Sequence, residues 1–167
     1  MTDLTFALAG NPKAGKTTIF NILTGLHQHT GNWPGKTVEK KQGQIKHAGA
    51  TISLVDLPGA YSLTAYSPEE IIARDFIIEE RPDVVINVVD ASNLERNLYL
   101  TVQILELDVP VVIALNMMDD LQRSGGRVDA ELLSRLLGGV PVVETTANKQ
   151  EGIPELIGRA VRLARTR

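Results

Sequence analysis

Cysteine is absent from the 167 residues, which excludes disulfides, thiolate catalysis and cysteine-based metal centres. Long apolar runs are absent too. Val109 to Leu115 is typical of the longest, and nothing nears the roughly 20 residues of a membrane span. There is no positive excess: 17 Lys and Arg stand against 20 Asp and Glu, a net charge of -3, so a broad nucleic-acid-binding face is not expected. The first residues, Met1 to Phe6, have neither the basic start nor the apolar stretch of a secretory signal. There is no internal repeat and no low-complexity segment. What remains is an ordinary soluble composition, 43% hydrophobic and 22% charged, on a chain long enough for one domain with its own core.

Short apolar runs alternate with helical patterns. Leu4–Ala9, Thr51–Val55, Val84–Val89, Val111–Leu115 and Val140–Val143 read as strands, several apolar throughout, as in strands covered on both faces. Gln42–His47 is polar and alternating, the pattern of an edge strand. Helices are expected over Thr18–Gly25, Ser67–Glu80 and Leu94–Leu107. A last helix carries Ile153, Leu156, Ile157, Ala160, Val161 and Ala164 on one stripe. Gly138-Gly139 ends a further helix before Val140. The alternation predicts an α/β fold, a mostly parallel sheet with helices on both faces. Residues 26–41 show no period, and a long loop in a compact domain is more often functional than idle.

Gly10–Thr17, GNPKAGKT, fits the phosphate-loop pattern G-x-x-x-x-G-K-[ST] between a strand and a helix, the context that gives the pattern meaning. Glycines let backbone N–H groups turn toward phosphate oxygens, and the helix N-terminus adds a positive dipole end. Asn11, Pro12, Lys13, Ala14, Gly15 and Thr18 are expected around the phosphates. Lys16 is expected to reach the terminal phosphates and Thr17 to offer its hydroxyl to Mg²⁺. Asp56-Leu-Pro-Gly59 follows a core strand, so Asp56 is a second Mg²⁺ candidate and Gly59 a backbone donor to the γ-phosphate. Asn116-Met117-Met118-Asp119 follows another strand. The Asp119 carboxylate suits the N1–H and 2-amino donors of guanine, which adenine lacks, and Asn116 suits a tie between this loop and the phosphate loop. Thr146, Ala147 and Asn148 follow the last strand, where a backbone N–H can meet guanine O6. Thr37, in the irregular stretch, is the candidate third Mg²⁺ ligand, mobile and sensitive to the γ-phosphate.

The order GNPKAGKT, NWPGKTVEKK, DLPGAYSL, YSPEE, ARDF, NVVDASNLERNLYL and ALNMMD resembles the G domain of the ferrous iron transporter B (FeoB) family over about residues 4 to 160. The resemblance implies a Ras-like P-loop GTPase fold of six strands, one of them an antiparallel edge, and five helices. It implies that residues 1–167 are a single G domain, the N-terminal fragment of a longer membrane transporter. Its partners would be a helical regulatory domain and a membrane permease, at the cytoplasmic face of the bacterial inner membrane, with weak or nucleotide-dependent self-association. It implies Mg²⁺-dependent GTP binding and slow hydrolysis, with Lys16, Thr37, Gly59 and Lys13 nearest the chemistry. Where many GTPases carry glutamine after D-x-x-G, this chain has Ala60, so no side chain there can orient water. Where the family has an asparagine that helps hold K⁺, this chain has Lys13, which cannot ligate K⁺ but can bring its own charge. Two expectations stand side by side: that charge replaces the cation and turnover is K⁺-independent, or Lys13 points to solvent and only strengthens nucleotide binding. Lys36 stands where the family has an apolar residue. His27 and His29 read as solvated loop residues rather than an iron site. Two other functions share the core motifs: an RNA- or ribosome-associated G protein, and a nucleotide-sensing module with negligible catalysis.

Overall fold

A computed structural model describes residues 2–166. Met1 and Arg167, the ends of the stretch read as one domain, lie outside the described residues. The central strand is β1 (Thr2–Gly10), flanked in parallel by β4 (Ala50–Asp56) and β5 (Val84–Asp90). Beyond β5 follow β6 (Val111–Asn116) and β7 (Val142–Glu144), both parallel. Beyond β4 follow β3 (Glu39–His47) and β2 (Gln28–Asn32), each antiparallel to its neighbour. The order is β2-β3-β4-β1-β5-β6-β7.

The sheet therefore has seven strands among the described residues, not six; one of them, β3, runs antiparallel to the rest, and it lies inside the edge rather than at it. The edge strand is β2, and the expected edge Gln42–His47 lies one place inside it, within β3. β2 came from the stretch read as irregular. Its QHTGN side chains are almost wholly exposed; backbone pairing and the Gln28 amide, which donates to Asn21 Oδ1 and Thr24 Oγ1 at 3.0 Å, hold it, and no apolar alternation marks it. β7 begins at Val142 rather than Val140 because Pro141 has no N–H for the ladder; the Pro141 carbonyl still accepts from Ile113 N–H at 2.9 Å.

Six α-helices among the described residues, rather than five, cover the two faces: α1 (Lys16–Thr24), α2 (Pro68–Glu80), α3 (Leu94–Glu106), α4 (Met118–Arg123), α5 (Ala130–Leu136) and α6 (Ile153–Arg165). On one face Ile19 and Phe20 of α1 and Leu156, Ile157, Ala160 and Val161 of α6 pack against Phe6, Leu8, Ile52, Leu54 and Ile86. On the other, Ile72 and Ile77 of α2 and Leu100 and Ile104 of α3 pack against Ala7, Val55, Val85 and Ile113. Ser67 caps α2 by accepting Glu70 N–H at 3.1 Å, with Pro68 at the first helical position, where its missing N–H costs nothing. α1 starts two residues before the expected Thr18, directly after left-handed Gly15. The C-terminal ends of the parallel strands β1, β4, β5 and β6 deliver Gly10, Asp56, Asp90 and Asn116 to one rim of the sheet, the side on which open α/β sheets bind ligands.

Candidate nucleotide site

The loop from Gly10 to Thr17 leaves β1 close against β5. A Cβ on Gly10 would lie 2.7 Å from the Val88 carbonyl oxygen, so only glycine passes there. Ala14 N–H closes the turn onto Asn11 O at 3.1 Å. Lys13 (φ 72°) and Gly15 (φ 97°) both adopt left-handed backbone. Left- and right-handed residues in succession turn N–H groups into a concavity suited to anions, here continuous with the start of α1.

At the loop's far end Lys16 and Asp56 form a buried ion pair, Nζ to Oδ1. Burial pushes the Asp56 carboxyl above the usual carboxylate range, and the charge and hydrogen bond of Lys16, then the charge of Lys41, partly offset it. The chemistry of the pair also fits other partners: phosphate oxygens carry the charge that suits a lysine, and a divalent cation the charge that suits an aspartate. Thr17, Thr18 and Lys13 are exposed on the same rim. Asn11 is buried, at 4% exposure, with neither end of its amide hydrogen-bonded. A buried unpaired amide is costly, and an orphaned amide inside a phosphate-type loop fits a bound polar group.

Asn116 ties three loops together. Its Nδ2 donates to Ala14 O at 2.9 Å, and its Oδ1 accepts from Thr145 Oγ1 and from Ala147 N–H, both at 3.0 Å. The expected tie to the phosphate loop is therefore present. A Cβ on Gly15 would run into Asn116 Nδ2, so Gly15 is required by this junction as well as by its own φ. The Ala147 N–H, one of the donors expected at the base, is committed to Asn116. Met117 turns the chain at φ 62°. Asp119 follows, accepting Asp120 N–H at 2.9 Å and reaching Arg123 at 3.4 Å. Asp119, Thr145, Thr146, Lys149 and Met118 share a cavity of about 290 Å³. Thr145, Lys149 and Met118 were not among the expected site residues. Asn148 is exposed and is not among the residues lining this cavity.

The Asp56–Gly59 turn packs on the phosphate loop. Ala60 N–H donates to Gly10 O at 3.1 Å, and a Cβ on Gly59 would meet Pro12 at 3.2–3.3 Å. Ala60 is buried, so its methyl group faces protein. The loop beyond is fastened by residues that spacing did not reveal. Leu63 N–H donates to Gln103 Oε1 at 2.5 Å, and Arg96 stacks on Tyr61 at 4.5 Å. Glu70, in the first turn of α2, accepts from Ser62, Thr64 and Ser67; these bonds, that of Ser62 foremost, hold its carboxyl below the usual range. Thr37 is exposed, in a turn closed by Trp33 N–H to Val38 O at 2.9 Å. His27 and His29 are exposed.

Comparison with known proteins agrees with this geometry. The family model described as ferrous iron transport protein B matches residues 4–160. A curated Fe(2+) transport protein A/Fe(2+) transporter FeoB fusion protein of Porphyromonas gingivalis is 53% identical over 151 residues, 90% of this chain and 18% of that protein. The FeoB G domain of Methanococcus jannaschii superposes with TM-score 0.88 at 47% identity, covering 99% of both chains. The cytosolic domain of the T. maritima FeoB iron transporter, in a GDP form, gives TM-score 0.93 at 44% identity, covering 97% of this chain and 63% of that one. This chain spans about a fifth of the length of the curated relatives it matches. With the family pattern matched nearly end to end and the Ras-like fold superposing on solved G domains, the chain belongs to the ferrous iron transport protein B family, as its G domain.

Proposed function

We propose that this chain binds GTP and GDP with Mg²⁺ and hydrolyses GTP slowly, as the cytoplasmic switch domain of a ferrous iron transporter. The observation that carries this reading is the Asn116 junction, which fixes the phosphate loop and the Asp119 loop to one another. A nucleotide needs both ends held at a set spacing, and the junction supplies it. Asp119 accepts from guanine N1–H and the 2-amino group, and Thr146, Ala147 and Asn148 border the base. Asn11, Pro12, Lys13, Ala14, Gly15 and Thr18 surround the phosphates. Lys16 leaves Asp56 for phosphate oxygens, and Thr17, Asp56 and Thr37 hold Mg²⁺, which supplies charge neutralisation there. The Gly59 N–H faces the γ-phosphate.

Phosphoryl transfer is mostly positioning and electrostatics. The buried methyl of Ala60 can orient no water, so turnover is slow. Lys13 is exposed at the loop's rim and stands where the family has its K⁺-holding asparagine. Its ammonium takes the place of that cation, and turnover is K⁺-independent. The relatives' greater length supports the reading of a chain that continues into a helical regulatory domain and a permease, with this domain at the cytoplasmic face of the inner membrane. No described helix is long and apolar enough to cross a membrane.

Binding and single-turnover phosphate release, run in parallel with GTP, GDP and ATP in K⁺ and in Na⁺, test the whole reading. GTP and GDP bind, ATP does not, and release is slow and equal in the two salts. Strong K⁺ stimulation overturns the role given to Lys13. Tight binding without release above the uncatalysed rate reduces the domain to a nucleotide sensor.

A further inference from the structure

Asp56 has a second cationic neighbour besides Lys16. The β3–β4 register sets Lys41 directly opposite Asp56, and directly opposed residues of an antiparallel pair share a face with Cβ atoms about 5 Å apart. Lys41 also lies 3.6 Å from Glu39, two residues earlier on the same strand face. The two carboxylates differ. The Asp56 side chain is buried, at 6% exposure, and anchored in the core sheet. The Glu39 side chain is 63% exposed and opens β3 two residues after Thr37. The charge of Lys41 is felt at Asp56, where it favours the ionised carboxylate.

We propose that Lys41 is a positioning residue linking the metal ligand Asp56 to the segment that carries Thr37. Its ammonium pairs with Glu39 while its charge still reaches Asp56, and it moves further toward Glu39 when Asp56 takes a divalent cation. Like charges repel across this short span, so the lysine weakens metal binding while it firms the start of β3. The inference rests on the reading of Asp56 as a Mg²⁺ residue given above. It goes further in assigning a coupling role to a residue outside the phosphate, Mg²⁺ and base motifs.

The chain carries its own probe. Trp33 is its single tryptophan. It closes the turn around Thr37 through its backbone, packs edge-on against Phe76 at 5.8 Å and lies under Lys40 at 4.7 Å. Mg²⁺ is titrated by calorimetry into the protein saturated with GDP, while Trp33 emission is followed in parallel. The unaltered protein is expected to show an emission change that tracks Mg²⁺ binding. Lys41→Met should bind Mg²⁺ about three- to tenfold more tightly, the scale of one unit charge several ångströms from a divalent ion near water, and lose most of the emission change. Lys41→Arg should keep both properties. Glu39→Gln should lose the emission change with little effect on Mg²⁺ affinity. A Lys41→Met protein with unchanged Mg²⁺ affinity, or with its emission change intact, overturns the proposal alone. An unaltered protein that binds no GDP overturns the functional reading, and this one with it.

Discussion

Two loops border the phosphate turn and are held by opposite means. Around Asn116, one side chain of 2% exposure satisfies a carbonyl, a hydroxyl and a backbone N–H from two other loops. Along residues 61–70, the fastenings lie at the surface. Ser62 and Thr64 bond Glu70, Arg96 covers Tyr61, and Leu63 N–H bonds Gln103, with none of these contacts fully buried. Bonds in a dry interior leave costly unpaired groups when broken, whereas water replaces surface bonds at little cost. The first loop is thereby built to stay and the second to let go. A base-reading site benefits from the former and a switch from the latter.

Removing the junction should have the largest effect. Asn116→Ala leaves Ala14 O, Thr145 Oγ1 and Ala147 N–H without their partner. Urea unfolding should show a loss of about 3 kcal/mol, and calorimetry a fall in GDP affinity of about a hundredfold or more. Next comes Asp119→Asn, which replaces a double acceptor with a group that presents one donor end. GDP affinity should drop by about two orders of magnitude while the urea midpoint moves little, which separates recognition from scaffolding within the same rigid region.

A pH series sharpens the contrast at the border between the regions. Burial raises the folded pKa of Asp56. Its contribution to stability is therefore present at low pH and lost as pH rises through the folded value, but its capacity for a divalent cation runs the other way. Mg²⁺ affinity of the GDP-bound protein, measured by calorimetry from about pH 7.5 down to about pH 5, should fall before any exposed carboxylate titrates.

The smallest effect is expected from Gln103→Leu, which frees Leu63 N–H. Stability should drop by about 1 kcal/mol. Amide exchange should quicken over residues 61–66 and stay unchanged over residues 114–118. Equal quickening in both stretches would erase the distinction between the loops.

What could be read from the chain follows the same division. The phosphate loop, Asp56–Gly59 and Asn116–Asp119 announce themselves because their chemistry demands fixed residue types at fixed spacing, and each follows a strand whose apolar run is unmistakable. The strand β2 left no such trace, since an edge strand exposed on both faces puts no constraint on its side chains. The fastenings by Gln103 and Glu70, and the pairing of Lys41 with Asp56, depend on register and helix rotation, which no local pattern encodes. The left-handed backbone of Lys13 was equally hidden, as lysine rarely adopts it.

The β3–β4 ladder ends at Lys41 opposite Asp56, while β3 itself continues to Glu39. Glu39 and Lys40 pair only with β2, so the end of the hairpin runs past β4 and is held instead by buried Trp33 against Phe76 of α2. Movement at the hairpin end is passed to the first rung of the β3–β4 ladder, and that rung is Asp56, the proposed metal ligand. On the proposed metal role of Asp56, displacement of the hairpin end and occupancy of that site are one mechanical variable read from two ends of the same strand.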